Sequence, residues 1–149
     1  MPVESVKRAF ASITFPARLE KHGNIIIDGA HNPDAVKRLL GSLSHEGAKF
    51  IAVFGAMKDK DYEQGLRLIC EKADSVLTCT VNIPRAESGK VLAETALKYC
   101  DNVISCENSE EALKMAVKMR KDNQFIVICG SLYLCSEARI LLNDVCHDK

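Results

Sequence analysis

From Asn24 onward the chain alternates short apolar, β-branched runs with longer polar stretches that carry an apolar residue at every third or fourth position. The runs read as buried strands, and the spaced stretches as helices with one face in a core. Strands are expected over residues 24–28, 50–55, 75–80, 102–106 and 125–130, and helices over 33–44, 61–72, 88–99, 109–121 and 131–145. Strands alternating with helices in this way predict an α/β fold: a mostly parallel sheet with helices on both faces. Ahead of Asn24 the pattern changes, with residues 3–13 fitting a short helix and 18–22 an edge strand, joined by Phe15-Pro16-Ala17.

Several element ends carry signals of their own. The run Ile25-Ile26-Ile27 stops at Asp28-Gly29-Ala30-His31-Asn32-Pro33, in which Gly29 permits a tight turn, Asn32 suits an N-cap and Pro33 the first helical position. Ala35, Val36, Leu39, Leu40 and Leu43 then share one helical face. Tyr62, Leu66, Ile69, Cys70 and Ala73 form a second stripe, and Asn108 with Glu111 resembles a capping box. Asp28 and His31 therefore stand at the carboxyl end of a strand, beside a helix N-terminus that favours negative groups.

Composition narrows the classes of function. A chain of 149 residues with 47% hydrophobic content supports one packed domain, and no second domain is expected. Twenty basic and twenty acidic side chains cancel without long runs of either sign, so no electrostatic footprint for nucleic acid or an anionic membrane is present. The absence of tryptophan and the 5% aromatic content argue further against a base-stacking surface. The seven cysteines are scattered, lack a Cys-x-x-Cys pair and fall mostly in expected core elements (Cys70, Cys79, Cys129, Cys135), which points to buried reduced thiols. His22, His31, His45 and His147 form no spaced ligand pairs with them, so no metal site is assigned. Neither a charged leader with an apolar stretch nor a membrane-spanning run is seen, and a cytoplasmic protein is expected.

In a parallel sheet every loop that follows a strand emerges on one edge, where open α/β proteins bind ligands. Four such loops are unusually polar: 28–32, 55–61, 82–85 and 130–131. Gly130-Ser131 ends a strand and opens a helix, offering backbone N–H groups and a hydroxyl to a carboxylate or phosphate; the plainer role of Ser131 is an N-cap. Asp28 suits a pair of ribose hydroxyls or else orders its own loop, and His31 meets a ligand or hydrogen-bonds within the turn. Lys58, Asp59, Lys60 and Asp61 read either as ligand-facing charges or as a solvated helix cap, and Arg85 after Pro84 has the same standing. No Gly-x-x-x-x-Gly-Lys-Ser/Thr phosphate loop, Gly-x-Gly-x-x-Gly fingerprint or Gly-x-Ser-x-Gly elbow occurs, so no catalytic residue is assigned.

Four ordered motifs, Phe15-Pro16-Ala17-Arg18-Leu19-Glu20, Asp28-Gly29-Ala30-His31-Asn32-Pro33, Asp59-Lys60-Asp61 and Gly130-Ser131-Leu132-Tyr133-Leu134, resemble the C-terminal domain of the folylpolyglutamate synthase/dihydrofolate synthase family, within the muramyl-ligase superfamily. The resemblance covers nearly the whole chain and departs at Ala17, where that family carries glycine before the arginine. It implies a Rossmann-like domain over residues 15–149, preceded by a helix or linker remnant over 1–14; the opening Met1-Pro2 fits a cut near a domain boundary. Such proteins are ATP-dependent ligases that activate a carboxylate as an acyl phosphate for attack by an amino acid, here glutamate. The resemblance implies that Arg18 contacts nucleotide phosphate, Asp28 the ribose, His31 the nucleotide or the incoming glutamate, and Ser131 the glutamate carboxylate. It also implies that Lys58 or Lys60 pairs with a glutamate carboxylate.

By the same resemblance, the phosphate loop and the magnesium ligands belong to a larger preceding domain. The implied partners are that domain, in cis or in trans, with ATP, glutamate and a folate. Amide ligation holds an acyl phosphate and a carboxylate side by side, and helix N-termini with fixed cations offset their repulsion. A rim of that kind binds but does not transfer phosphate without magnesium and a phosphate cradle, so the chain alone is expected to be inactive. A stand-alone module that binds a nucleotide or an acidic metabolite without catalysis remains open on the same residues. A nicotinamide oxidoreductase is disfavoured by the missing glycine fingerprint.

Overall fold

The computed structural model describes residues 19–45, 47 and 49–147; the expected helix over 3–13, the Phe15-Pro16-Ala17 link and Arg18 lie outside the described residues. Strands β1 (Glu20–His22), β2 (Ile25–Ile27), β3 (Lys49–Phe54), β4 (Ser75–Thr78), β5 (Val103–Ser105) and β6 (Gln124–Cys129) form one sheet in the order β1-β2-β6-β3-β4-β5. Neighbours are parallel except β1, which runs antiparallel along the edge of β2. The helices are α1 (Pro33–His45), α2 (Glu63–Lys72), α3 (Gly89–Ala96), α4 (Ser109–Met119) and α5 (Leu132–His147).

One reversal organises the topology. From β2 through β5 each crossover steps toward the β5 edge, and the chain then returns to lay β6 between β2 and β3. Crossovers of fixed right hand put the helices of the outward steps on one face and those of the return on the other. Burial follows that rule. Val36 and Leu39 of α1, Leu66 and Ile69 of α2 and Leu92 of α3 pack with Ile26, Phe50, Phe54 and Val127, whereas Leu113 of α4 and Leu134, Ala138 and Leu142 of α5 pack with Ile27, Ile51, Val53 and Ile128. Adjacent strand residues thus alternate between two cores, which is why the strands are apolar throughout rather than at every second position.

Local chemistry explains most element ends. The Asn32 side chain accepts from the Ala35 N–H at 2.9 Å, as an N-cap ahead of Pro33 should, and Ser88 caps α3 by accepting from Val91. Asn108 caps α4 by accepting from Glu111 N–H at 2.8 Å, while the Glu111 carboxylate reaches back to the N–H of Glu107, one residue beyond the cap itself. Three helices are shorter than their periodicity predicts. Residues 60–62 form a turn that delays α2 to Glu63; Lys98 and Tyr99 tighten into i→i−3 bonds, ending α3 at Ala96; and the Arg120 guanidinium gathers the carbonyls of Lys121, Asp122 and Gln124, ending α4 at Met119.

The turn from β6 into α5 leaves no room for a side chain at Gly130. Gly130 has φ 108°, and a Cβ there would lie 2.3 Å from the Gly55 carbonyl oxygen. Gly130→Ala is expected to cost about 3 kcal/mol or more in urea unfolding, combining a strained backbone with a steric clash. Gly41, inside α1 with nothing within 4 Å, supplies the contrast: Gly41→Ala should stabilise by about 0.5–1 kcal/mol.

Burial pushes the Cys79 and Cys135 thiols from the ordinary 9.0 up to about 12 and holds Cys129 well above its ordinary value. Between those values the folded chain keeps protons that the unfolded chain has lost, so stability is full below pH 9 and falls as pH rises toward 12. Each such thiol contributes a slope of about 1.4 kcal/mol per pH unit, and denaturant midpoints of a Cys79→Ala variant should fall less steeply by one such share.

Candidate functional site at the carboxyl edge of the sheet

Asp28 continues the β2 ladder, its N–H donating to the Ile128 carbonyl at 2.9 Å. Half-buried, its carboxylate accepts from the Ala30 N–H at 2.9 Å through one oxygen and from the Leu19 N–H at 3.1 Å through the other. The second bond helps hold Leu19 at φ 47°, a conformation that costs an L-residue about 1 kcal/mol, so the segment just after Arg18 is bent to the rim by Asp28. Asp28 also adds to the burial that raises the Cys129 and Cys135 thiols, which places its charge against a poorly solvated floor.

The neighbouring strand completes the centre. The N–H of Gly130 donates to the Ala30 carbonyl at 2.8 Å, joining the loop after β2 to the loop after β6. From this junction α1 leaves to one side of the sheet and α5 to the other, so Asp28 and Ser131 flank the crevice where ligands of open α/β sheets bind. Ser131 is only 4% exposed, and its Oγ accepts from the Tyr133 N–H at 3.1 Å, the capping role expected of it; the hydroxyl proton is left to donate. His31 is exposed, and its Nδ1 lies 2.9 Å from the Gly29 carbonyl. A carbonyl only accepts, so Nδ1 carries the proton and Nε2 is left for a ligand, as acceptor when neutral and donor when protonated.

The other two polar loops are stitched to each other and to this centre. Lys58 N–H donates to the Arg85 carbonyl at 2.8 Å, Glu87 N–H donates to the Ala56 carbonyl at 2.9 Å, and Met57 pairs with Ala86 in an isolated bridge. Arg85 donates to Asp59 at 3.2 Å and lies 6.0 Å over the Tyr133 ring, so both are committed within the protein. Lys58 and Lys60 are exposed and make no ion pair among the described residues. The rim therefore unites residues 28–31, 55–61, 82–87 and 130–133, while Arg18 lies outside the described residues. No group of three or more His, Cys, Asp or Glu among the described residues is placed to hold a metal ion.

Two residues that support the rim had no signal in the sequence. The Glu137 carboxylate on α5 accepts from the Asn82 N–H at 2.8 Å and from the Ser109 hydroxyl at 2.7 Å, tying the 82–87 loop to the start of α4. Arg139, two residues on, grips both oxygens of Glu20 at 3.1 Å, and His22 meets the same carboxylate at 2.6 Å, fastening β1 to α5. A recess of about 420 Å³ lined by Lys49, Asp74, Lys121 and Gln124 lies at the opposite, amino-end edge of the strands. Its Asp74 carboxylate is paired with Gln124 at 2.8 Å, and none of the rim residues reaches it.

An acceptor carboxylate, an outward imidazole, two lysines and two helix N-termini gathered at the switch point of a doubly wound sheet define an α/β domain suited to an anion that also carries hydroxyls. The family model described as "Mur ligase, glutamate ligase domain" matches residues 17–132, and the chain belongs to this family. It is 27% identical over 141 residues to dihydrofolate synthase/folylpolyglutamate synthase of Bacillus subtilis (strain 168), covering 91% of this chain and 32% of that protein. With folylpolyglutamate synthase of Lacticaseibacillus casei the identity is 31% over 140 residues, again covering 91% of this chain and 32% of the relative. Folylpolyglutamate synthase of Mycobacterium tuberculosis, in crystal structures complexed with ADP and AMPPCP, superposes with a TM-score of 0.79 at 31% identity, covering 95% of this chain and 35% of that one. The chain thus spans about a third of the length of these relatives.

Glu137→Ala should cost about 2 kcal/mol by removing two charge-assisted bonds, and should speed hydrogen exchange at the Asn82 amide; Ser109→Ala, which removes one of them, should cost about half as much.

Proposed function

We propose that this chain is the nucleotide- and glutamate-facing part of an ATP-dependent ligase of the folylpolyglutamate synthase type, without turnover of its own. Support comes from family membership and from one contact above all, the Gly130–Ala30 hydrogen bond at 2.8 Å, which sets Asp28 and His31 beside the start of α5. ATP fits the residues present. The Asp28 carboxylate, held at the rim by the N–H groups of Ala30 and Leu19, is the acceptor proposed for a ribose hydroxyl pair. Arg18 would reach the phosphates from the bend at Leu19. His31 Nε2 would meet the nucleotide or the incoming amino acid.

On the amino-acid side, the Ser131 hydroxyl proton and the first N–H groups of α5 would take one glutamate carboxylate, and Lys58 or Lys60 the other. Both lysines are exposed and have no ion-pair partner among the described residues, which suits that role, whereas Arg85 is spent on Asp59 and Tyr133. Bound ATP supplies the phosphoryl group that activates the acyl carboxylate; this chain's residues orient it and offset the charge of the two anions. The phosphate loop and magnesium ligands are assigned to a preceding domain, in cis or in trans, and closure of that domain over the rim would exclude water. Folate is the proposed acyl partner. Free thiols at every described cysteine suit a reducing compartment such as the cytoplasm.

Titration of the isotope-labelled chain with ADP should move the amide signals of Gly29, Ala30 and Gly130, and Asp28→Asn should weaken binding about tenfold, equal to about 1.4 kcal/mol. The chain alone should show no ATP hydrolysis dependent on glutamate and a folate. Shifts confined to the recess around Lys49 and Lys121, or brisk turnover by the chain itself, would reject the reading.

A further inference from the structure

The six described cysteines are free thiols, and five of them are buried, with Cys100 alone half-buried. Cys79, Cys106, Cys129 and Cys135 are sealed beneath the rim and the α5 face. Cys70 and Cys100 stand apart from these. Cys70 projects from α2, and Cys100 follows the turn that ends α3. Both address one atom: the Cys70 Sγ donates to the Ala96 carbonyl at 3.8 Å, and the Cys100 N–H donates to the same oxygen at 3.1 Å. Both side chains also belong to the same apolar cluster.

The surroundings keep these two segments in register. Tyr99 donates to Glu63 at 2.6 Å, Lys98 pairs with the same carboxylate at 3.7 Å, and Arg67 lies 5.6 Å over the Tyr99 ring. The Cys70 thiol is raised by burial first and by the neighbouring Cys100 thiol next, so the two sulfurs are close enough to perturb each other. The Cys70 side chain and the Cys100 backbone meet at one carbonyl oxygen, which brings the two residues side by side, and a disulfide needs their Cα atoms within about 7 Å.

We propose that Cys70 and Cys100 are an oxidisable dithiol, in which a peroxide or a small-molecule disulfide converts the pair to a disulfide that locks α2 onto the turn after α3. Cys100 reacts before Cys70 because, among the described cysteines, it alone is not buried. With peroxide, the Cys100 thiolate takes one oxygen to become a sulfenic acid, and the other oxygen leaves as water. Cys70 then attacks the Cys100 sulfur and expels the hydroxyl as a second water. The two thiols lose two electrons and two protons, and the peroxide gains them. With a small disulfide, Cys100 forms the mixed disulfide and releases one thiol, and Cys70 displaces the other. The buried Cys70 stays protonated at neutral pH, so the second step is the slow one and quickens as pH rises. This inference stands apart from the ligase reading, and neither depends on the other.

Peroxide treatment of the full chain, followed by alkylation, digestion and mass spectrometry, tests it. The expected product is a Cys70–Cys100 peptide pair lighter by two hydrogens, reversed by dithiothreitol, formed faster at alkaline pH and giving a melting midpoint several degrees higher. Cys146→Ser should leave its yield unchanged, and Cys100→Ser, at a half-buried site that tolerates the change, should abolish it. Cys100 carried to sulfinic acid with Cys70 still a free thiol, Cys100 joined to a different cysteine, or a lower melting midpoint in the cross-linked form would overturn the proposal.

Discussion

Gly130 lies against the carbonyl of Gly55 so closely that no side-chain carbon fits between them. That contact exists because β6 is inserted between β2 and β3, and it lets the chain turn into α5 without pushing the β3 loop away. With Gly130 seated there, its N–H reaches the Ala30 carbonyl, and three loops from distant parts of the sequence become one surface. A sheet in which β6 paired outside β2 would keep every strand and helix yet scatter the rim.

Around this junction the charges divide into those the protein spends on itself and those it leaves available. Glu137, Glu20, Arg139, Asp59 and Arg85 are all committed to internal partners. Such pairs near the surface contribute modestly to stability, and their effect here is positional, since Glu137 and Arg139 tie a loop and an edge strand to α5 and Arg85 ties one rim loop to another. Lys58, Lys60 and the Nε2 of His31 are what remains for a ligand. Membership in the Mur ligase glutamate ligase domain family gives that remainder a chemical context, and the chain spans about a third of the length of its relatives.

The convergence of the polar loops was legible in the sequence, because a parallel sheet sends every strand-end loop to the same edge, and the structure does bring the loops of Asp28, His31, Lys58, Lys60 and Ser131 together; how each side chain bonds there was not legible. Ser131 illustrates the shortfall: a serine after glycine at a strand end looks the same whether its hydroxyl faces solvent or lies under α5. Only its 4% exposure and its bond to Tyr133 reveal that it caps the helix. Glu137 and Arg139 were invisible because they occupy ordinary positions within a helical stripe, and their partners Asn82, Ser109 and Glu20 lie 28 or more residues away.

What the sequence determined alone is what short-range forces decide. Strand and helix identities follow from apolar spacing, the starts of α1, α3 and α4 from Asn32, Ser88 and Asn108, and the apolar strand faces from cover on both sides. The strand order and the return of β6 were decided by the tertiary structure. Those features rest on hydrogen bonds and close packing between groups far apart along the chain, and a local pattern carries no record of which distant partner will be met.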